Sequence, residues 1–229
     1  MELKKINGAF WGGININENI FAFTSNKILL NGEDKIIFYN SSSKIIIDKI
    51  TIKNISFNLY QNNLCLISKE NESNNKLLLC ACKKYIESQK NGILLLKIKL
   101  DKDEDDNIVI SKKFYKTENF EVYCFCQFFI FKNENYILQK KKKIVTEYFL
   151  VGGFDSNKLK GLIKLYKINY NEENFDLTNI EYIQDIEIKY KNKSGFKGPI
   201  TCIIQSSNNG NILITCFDGN VYLFSPPKI

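Results

Sequence analysis

Glu121-Val122-Tyr123-Cys124-Phe125-Cys126-Gln127 superposes without a gap on Pro199-Ile200-Thr201-Cys202-Ile203-Ile204-Gln205, with Cys and Gln recurring at the same places. Apolar residues alternate around them, the pattern of a strand whose side chains point to opposite faces in turn. On that alternation Val122, Cys124 and Cys126 are expected on one buried face, and so are Ile200, Cys202 and Ile204. Each copy precedes two apolar segments with a glycine between them, Phe149 to Lys167 and Ile212 to Ser225. An inner strand, a second strand and a hairpin into a third is the order of a propeller blade.

Ile20 to Tyr39 and Leu77 to Ile98 carry the same two-segment pattern. Their inner strands are expected in Phe10-Trp11-Gly12-Gly13 for the first unit and around Ile55, Phe57 and Leu59 for the second. The marker residues Gly32, Gly92, Gly161 and Gly219 recur roughly every 60 to 70 residues, which suits a blade with inserted loops. Short segments rich in Ile, Val, Tyr and Phe dominate, bounded by Asn, Gly, Ser or Lys, and no window shows a capped helical stripe. The expectation is an all-β chain: a β-propeller-like array of about four antiparallel blades, whole or partial. It forms a single domain over 1–229, in units of about 8–50, 51–110, 111–170 and 180–229. Asp101 to Asn107, Lys132 to Lys143 and Asn169 to Thr178 are expected as polar loops between strands.

Composition narrows the chemistry. At 229 residues, 44% hydrophobic and 13% aromatic, the chain has the material for a buried core. His and Arg are both absent. The first absence removes the commonest general base, so mechanisms built on a His base are excluded. The net charge of +7 comes from Lys alone, which favours anionic surfaces in general. Without Arg, bidentate readout of guanine is disfavoured, and non-specific contact with nucleic acid is left open. The tract Lys140 to Lys143 reads as a charged loop, with an anion-binding or nuclear-localisation role as its alternative. No apolar h-region follows Met1, and the longest apolar tract, Tyr123 to Phe131, is far shorter than a membrane span. The expectation is an intracellular protein, cytoplasmic or nuclear, with no membrane insertion. The sequons at Asn40, Asn54, Asn71 and Asn192 then carry no weight.

Each candidate motif meets a plainer explanation. The seven cysteines are expected as reduced thiols. Cys80 with Cys82 and Cys124 with Cys126 invite a four-thiolate zinc site, but one intervening residue is fewer than zinc pairs ordinarily have, and buried strand cysteine fits better. Asp101, Asp103 and Asp105 begin like a calcium loop, which Asp106 and Lys112 then break at the positions needing Gly and Glu. Gly152-Gly153 belongs to no phosphate-binding motif and suits close strand approach. Asp218-Gly219 signals a tight hairpin whose central residues need positive φ. No catalytic residue, cofactor-binding residue or metal ligand is assigned, and no small-molecule substrate is evident.

Gly198-Pro199-Ile200-Thr201-Cys202-Ile203-Ile204, followed by Gly210 to Phe224, resembles a WD-type propeller repeat, with Phe224-Ser225 where that family usually has Trp-Asp. Leu150-Val151-Gly152-Gly153, Gly161-Leu162-Ile163 and Lys197-Gly198-Pro199-Ile200-Thr201, within Phe120 to Phe224, are similar to the C-terminal propeller of the cleavage and polyadenylation specificity factor large subunit. Relatives of that family include the damaged-DNA-binding adaptor. Both resemblances imply a non-catalytic scaffold. The first implies a protein-interaction scaffold docked into a larger assembly; the second, as alternative, implies a nuclear RNA-processing scaffold. An array of so few blades is expected to leave its end units exposed, for a partner or a further propeller segment to complete.

Overall fold

A computed structural model describes residues 9–26, 35–51, 55–57, 63–67, 75–84, 91–100, 108–128, 144–171, 177–186, 189–190, 193–194 and 196–225. The described chain is all-β, a propeller-like array of blade-like antiparallel sheets in sequence order. The first sheet is a meander of β1 (Ala9–Asn15), β2 (Ile20–Asn26), β3 (Lys35–Asn40) and β4 (Ile45–Thr51). In the second, β5 (Ile55–Phe57) and β6 (Leu64–Ile67) share one edge of β7 (Asn75–Lys84), which continues to β8 (Asn91–Lys99) and β9 (Val109–Glu118). The third is β10 (Phe120–Phe128), β11 (Ile144–Asp155), β12 (Lys160–Asn171) and β13 (Leu177–Ile186). A two-stranded ribbon, β14 (Lys189–Tyr190) and β15 (Lys193–Ser194), leads to the last sheet, β16 (Ile200–Gln205), β17 (Ile212–Cys216) and β18 (Val221–Phe224).

Three cores lie between successive sheets. Ala22, Ile36 and Phe38 of the first meet Leu78, Cys80 and Leu96 of the second. Leu79, Ile93 and Leu95, on the other face of the second, meet Phe125, Phe149 and Tyr166 of the third. Leu150, Ile163 and Leu165 of the third meet Ile203, Ile212 and Ile214 of the last. A sheet covered on both faces has no polar side, so Leu77 to Cys82 is an unbroken buried apolar run whose side chains alternate between two cores. Each such buried aliphatic or aromatic side chain contributes about 1.5–3 kcal/mol. The polar exception between the first two sheets is paired, since Asn63 Nδ2 donates to Thr24 Oγ1 at 2.8 Å in a buried position.

The inner strands share a bulge. The pairing slips by one residue between Phe10 and Gly12, between Val122 and Cys124, and between Ile200 and Cys202. Trp11, Tyr123 and Thr201 are therefore the extra residues of one repeated device. A second slip recurs between the third and fourth strands, at Phe38/Tyr39 in the first sheet and Leu165/Tyr166 in the third. The turns also repeat. Asn40 Oδ1 accepts from the backbone N of Ser42 and Ser43 at 2.9 and 3.1 Å, and Lys44 follows at φ 57°. Asp155 Oδ1 accepts from Asn157 N and Lys158 N at 3.0 Å each, and Leu159 follows at φ 50°.

Several expectations need correction. The bulge breaks simple alternation, so Val122 faces the second sheet while Cys124 faces the last. In the last sheet Ile200 and Ile203 are buried, Cys202 is half-buried and Ile204 is exposed. The glycines are not strict equivalents: Gly161 and Gly219 stand two residues before Ile163 and Val221, whereas Gly92 stands one before Ile93. Unit edges also move, because β9 pairs with β8 and so closes the second sheet, and β13 pairs with β12 and so closes the third. Asn169–Asn171 and Leu177–Thr178 lie in strands instead of a loop. Tyr170, fully buried, holds that extension by donating its hydroxyl to Glu147 Oε1 at 2.6 Å. At the Asp218-Gly219 hairpin only Gly219 has positive φ, +82°; Gly219 N bonds back to Cys216 O at 3.1 Å, making Phe217 and Asp218 the central turn residues. Leu59, Gly32, Asp101 to Asn107 and Lys132 to Lys143 lie outside the described residues.

Gly152 marks the tightest sheet-to-sheet approach suited to a test. A Cβ there would stand 2.6 Å from Cys124 Sγ, 2.6 Å from Ile200 Cγ2 and 2.9 Å from Ile203 Cδ1. Gly152→Ala is expected to cost about 1–3 kcal/mol by overpacking, measured as a shift in the denaturant midpoint. Adding Ile203→Val, which removes the crowding Cδ1, is expected to return part of that loss, a coupling that independent sites would not show.

Candidate docking face

Hydrogen-bonded register lines the sheets up residue by residue. In the third sheet one cross-strand row is Cys126–Leu150–Leu165 and the next is Cys124–Gly152–Ile163–Ile186. Counting from the bulge, the first sheet repeats them as Ile14–Ala22–Phe38 and Gly12–Thr24–Ile36–Ile50. In the second sheet Cys65–Leu79–Leu95 fills the first row, and Ala81–Ile93–Tyr115 follows. In the last sheet they are Ile204–Leu213–Leu223 and Cys202–Thr215–Val221.

In each of the first three sheets these rows face the next sheet. Leu150, Ile163 and Leu165 are 0% exposed as a result. Their counterparts in the last sheet are open: Leu213 is 38% exposed, Ile204 53%, Val221 63% and Leu223 67%. Strand β17 thus has the sequence of a doubly buried strand and the burial of a half-covered one. A lone exposed leucine is ordinary; a cross-strand block of four aliphatic side chains is a contiguous apolar patch of the kind that marks an interaction surface.

The sheet beneath is firmly held. Asp218, at the β17–β18 turn, accepts from Asn220 N at 3.0 Å through Oδ1 and from the Tyr222 hydroxyl at 3.0 Å through Oδ2. Partial burial acts to raise its pKa, but these hydrogen bonds outweigh it and hold the carboxyl below the usual carboxylate value. Tyr222 in turn meets Phe196 edge-on at 4.9 Å between centroids. Thr201 Oγ1 and Thr215 Oγ1 share a hydrogen bond of 2.8 Å, and Phe217 N donates to Pro199 O at 2.9 Å. The open face is therefore carried on a braced platform.

The opposite end of the array also carries apolar rows, less open than those of the last sheet, with Ile37 buried and Phe21, Phe23 and Tyr39 half-buried. Asn15–Phe21–Tyr39–Ile46 and Gly13–Phe23–Ile37–Lys49 lie on the side of the first sheet turned away from the second. Phe21 and Phe23 stack at 6.3 Å, half-buried. The corresponding row of the third sheet, Gln127–Phe149–Tyr166–Tyr182, packs onto the second, with Phe149 and Tyr166 stacked at 5.6 Å.

The cysteine motifs gather into no site. Cys80 and Cys82 point into the core between the first two sheets, whereas Cys124, with Cys126 packed alongside, serves the core between the third and the last. Among the described residues no group of three or more His, Cys, Asp or Glu could hold a metal ion. Burial pushes the Cys65, Cys80 and Cys124 thiols well up, and Cys126 up to about 11. Among the described residues no helix is long and apolar enough to cross a membrane. Sequence reasoning anticipated exposed ends but missed the open face. Leu213 and Leu223 match Leu150 and Leu165 through strand pairing alone, because Gln127 and Phe149 are separated by many more residues than Gln205 and Ile212 and linear superposition of the Cys-Gln segments does not align them.

All seven cysteines are free. With a thiol-reactive chromophore at pH 8, slow labelling of the half-buried Cys126 and Cys202 is expected, with Cys65, Cys80, Cys82, Cys124 and Cys216 reacting only on unfolding. Because folding raises the Cys65, Cys80 and Cys124 thiols above their ordinary 9.0, the folded chain retains protons that the unfolded chain releases at alkaline pH. Thiol titration is thus expected to leave stability level below pH 9 and to lower it as pH rises further, as followed by denaturant midpoints.

No protein-family model matches this chain, and no curated protein matches it.

Proposed function

We propose that the chain is a non-catalytic protein-interaction scaffold of WD-repeat type, docking through the open face of its last sheet. One observation carries this: Ile204, Leu213, Val221 and Leu223 are exposed at positions whose counterparts in the third sheet are covered by another sheet. Covering them with a partner's apolar surface would recover hydrophobic free energy that the other sheets already gain, about 25 cal/mol per Å² of apolar area. A nuclear RNA-processing scaffold is the second reading, favoured by the net charge of +7 carried wholly by Lys.

Leu213→Lys with Leu223→Lys tests the first reading, because both side chains already reach solvent and the substitutions are expected to leave the circular dichroism spectrum unchanged. Affinity-tagged chain expressed in its native cells is expected to lose its co-purifying proteins when the pair is substituted, and to keep them through nuclease treatment. An unchanged protein set in the variant rejects the docking face. Loss on nuclease treatment alone favours the RNA reading.

A further inference from the structure

The two ends of the array match one another as consecutive sheets do. The open face of the last sheet repeats, row for row, the face with which the third sheet receives the last. On the far side of the first sheet, Asn15–Phe21–Tyr39 repeats the order amide, apolar, aromatic of Gln127–Phe149–Tyr166 and Gln205–Ile212–Phe224. Those latter two rows are the ones that seat the third and last sheets on their predecessors. The chain therefore carries at one end a receiving face and at the other an inserting face of the same repeated interface.

We infer that a second copy of this chain docks head to tail, its first sheet laid on the last sheet of its neighbour with Phe21, Phe23 and Tyr39 over Ile204, Leu213, Val221 and Leu223. This rests on the docking reading above and names the occupant. Exposure of the receiving face excludes the alternative that the chain's own first sheet already covers it. The occupant is a sheet and not a helix or loop because each of the three internal cores is sheet on sheet. The pairing is heterologous: two copies close a ring of eight sheets if the rotation per sheet allows it, and otherwise build an open filament.

Sedimentation velocity of the purified chain tests this. A mass twice that of the monomer, or a mass growing with concentration, is expected; a monomer at high micromolar concentration overturns it. Leu223→Lys and Tyr39→Lys, each alone, are expected to give monomers, and mixing the two is expected to restore a complex of two chains, because one intact junction remains. Loss of association in Leu223→Lys with none in Tyr39→Lys would show the last sheets pairing face to face and would also overturn the proposal. Should Tyr39→Lys fail to fold, hydrogen exchange on the unaltered chain decides. Protection at 20–23 and 37–39 is expected to rise with concentration together with protection at 212–215 and 221–224, and a rise in the second group alone counts against it. A monomer whose Leu213→Lys, Leu223→Lys variant still loses its co-purifying proteins rejects self-pairing and leaves the docking reading standing.

Discussion

Leu150 and Leu165, opposite one another on β11 and β12, pack against Ile203 and Ile212 of the following sheet. That sheet-on-sheet contact, repeated between each neighbouring pair, is what the rest of the molecule depends on. None of the sheets has enough apolar surface to stand alone, and a strand pair gains stability in water only when its apolar face is covered. The second and third sheets have both faces covered, and the order of stacking follows the order of the chain. Such arrays behave as nearest-neighbour assemblies, so the internal sheets are the most strongly held and the end sheets the least.

The one-residue bulge makes this stacking workable. By inserting Tyr123 or Thr201 without a partner opposite, it sends Val122 and Cys124 to opposite cores and keeps Phe125 and Ile203 facing the preceding sheet. Bulges also sharpen the local twist of a strand, which is how a flat ladder is turned to meet its neighbour. Gly152, opposite Cys124, leaves room for that bend, with Ile200 and Ile203 of the next sheet filling the space a side chain would take.

The proposed function rests on where the repetition stops. Rows that act as core inside the array are left open on the last sheet, at Ile204, Leu213, Val221 and Leu223. This is consistent with a chain in which the reactive residue types serve packing: Cys65, Cys80 and Cys124 sit in cores with their thiols pushed up by burial, and Glu147 satisfies Tyr170 and Gln127 within one sheet. On the docking proposal, an occupant would be recognised by shape and apolar register, on a platform braced by the Asp218–Tyr222 and Thr201–Thr215 hydrogen bonds.

By itself the sequence determined the class and the repeat. Short Ile, Val, Tyr and Phe segments broken by Asn and Gly read as strands, and the Cys-Gln superposition marked two equivalent inner strands that the register confirms. The absence of His and Arg likewise set limits on chemistry before any fold was known. Which face each side chain occupies was decided by tertiary structure. A bulge inserts one residue, and with a side-chain period of two that reverses every face beyond it, as Ile203 and Ile204 show by exchanging the expected core position. Sheet membership of β9 and β13 was also beyond local pattern, because pairing depends on a neighbouring strand supplied from elsewhere in the chain. Whether an apolar row is core or surface depends, last of all, on what lies opposite: Leu150 and Leu213 are the same residue type at the same register position, and only the sheet stacked on the first separates them.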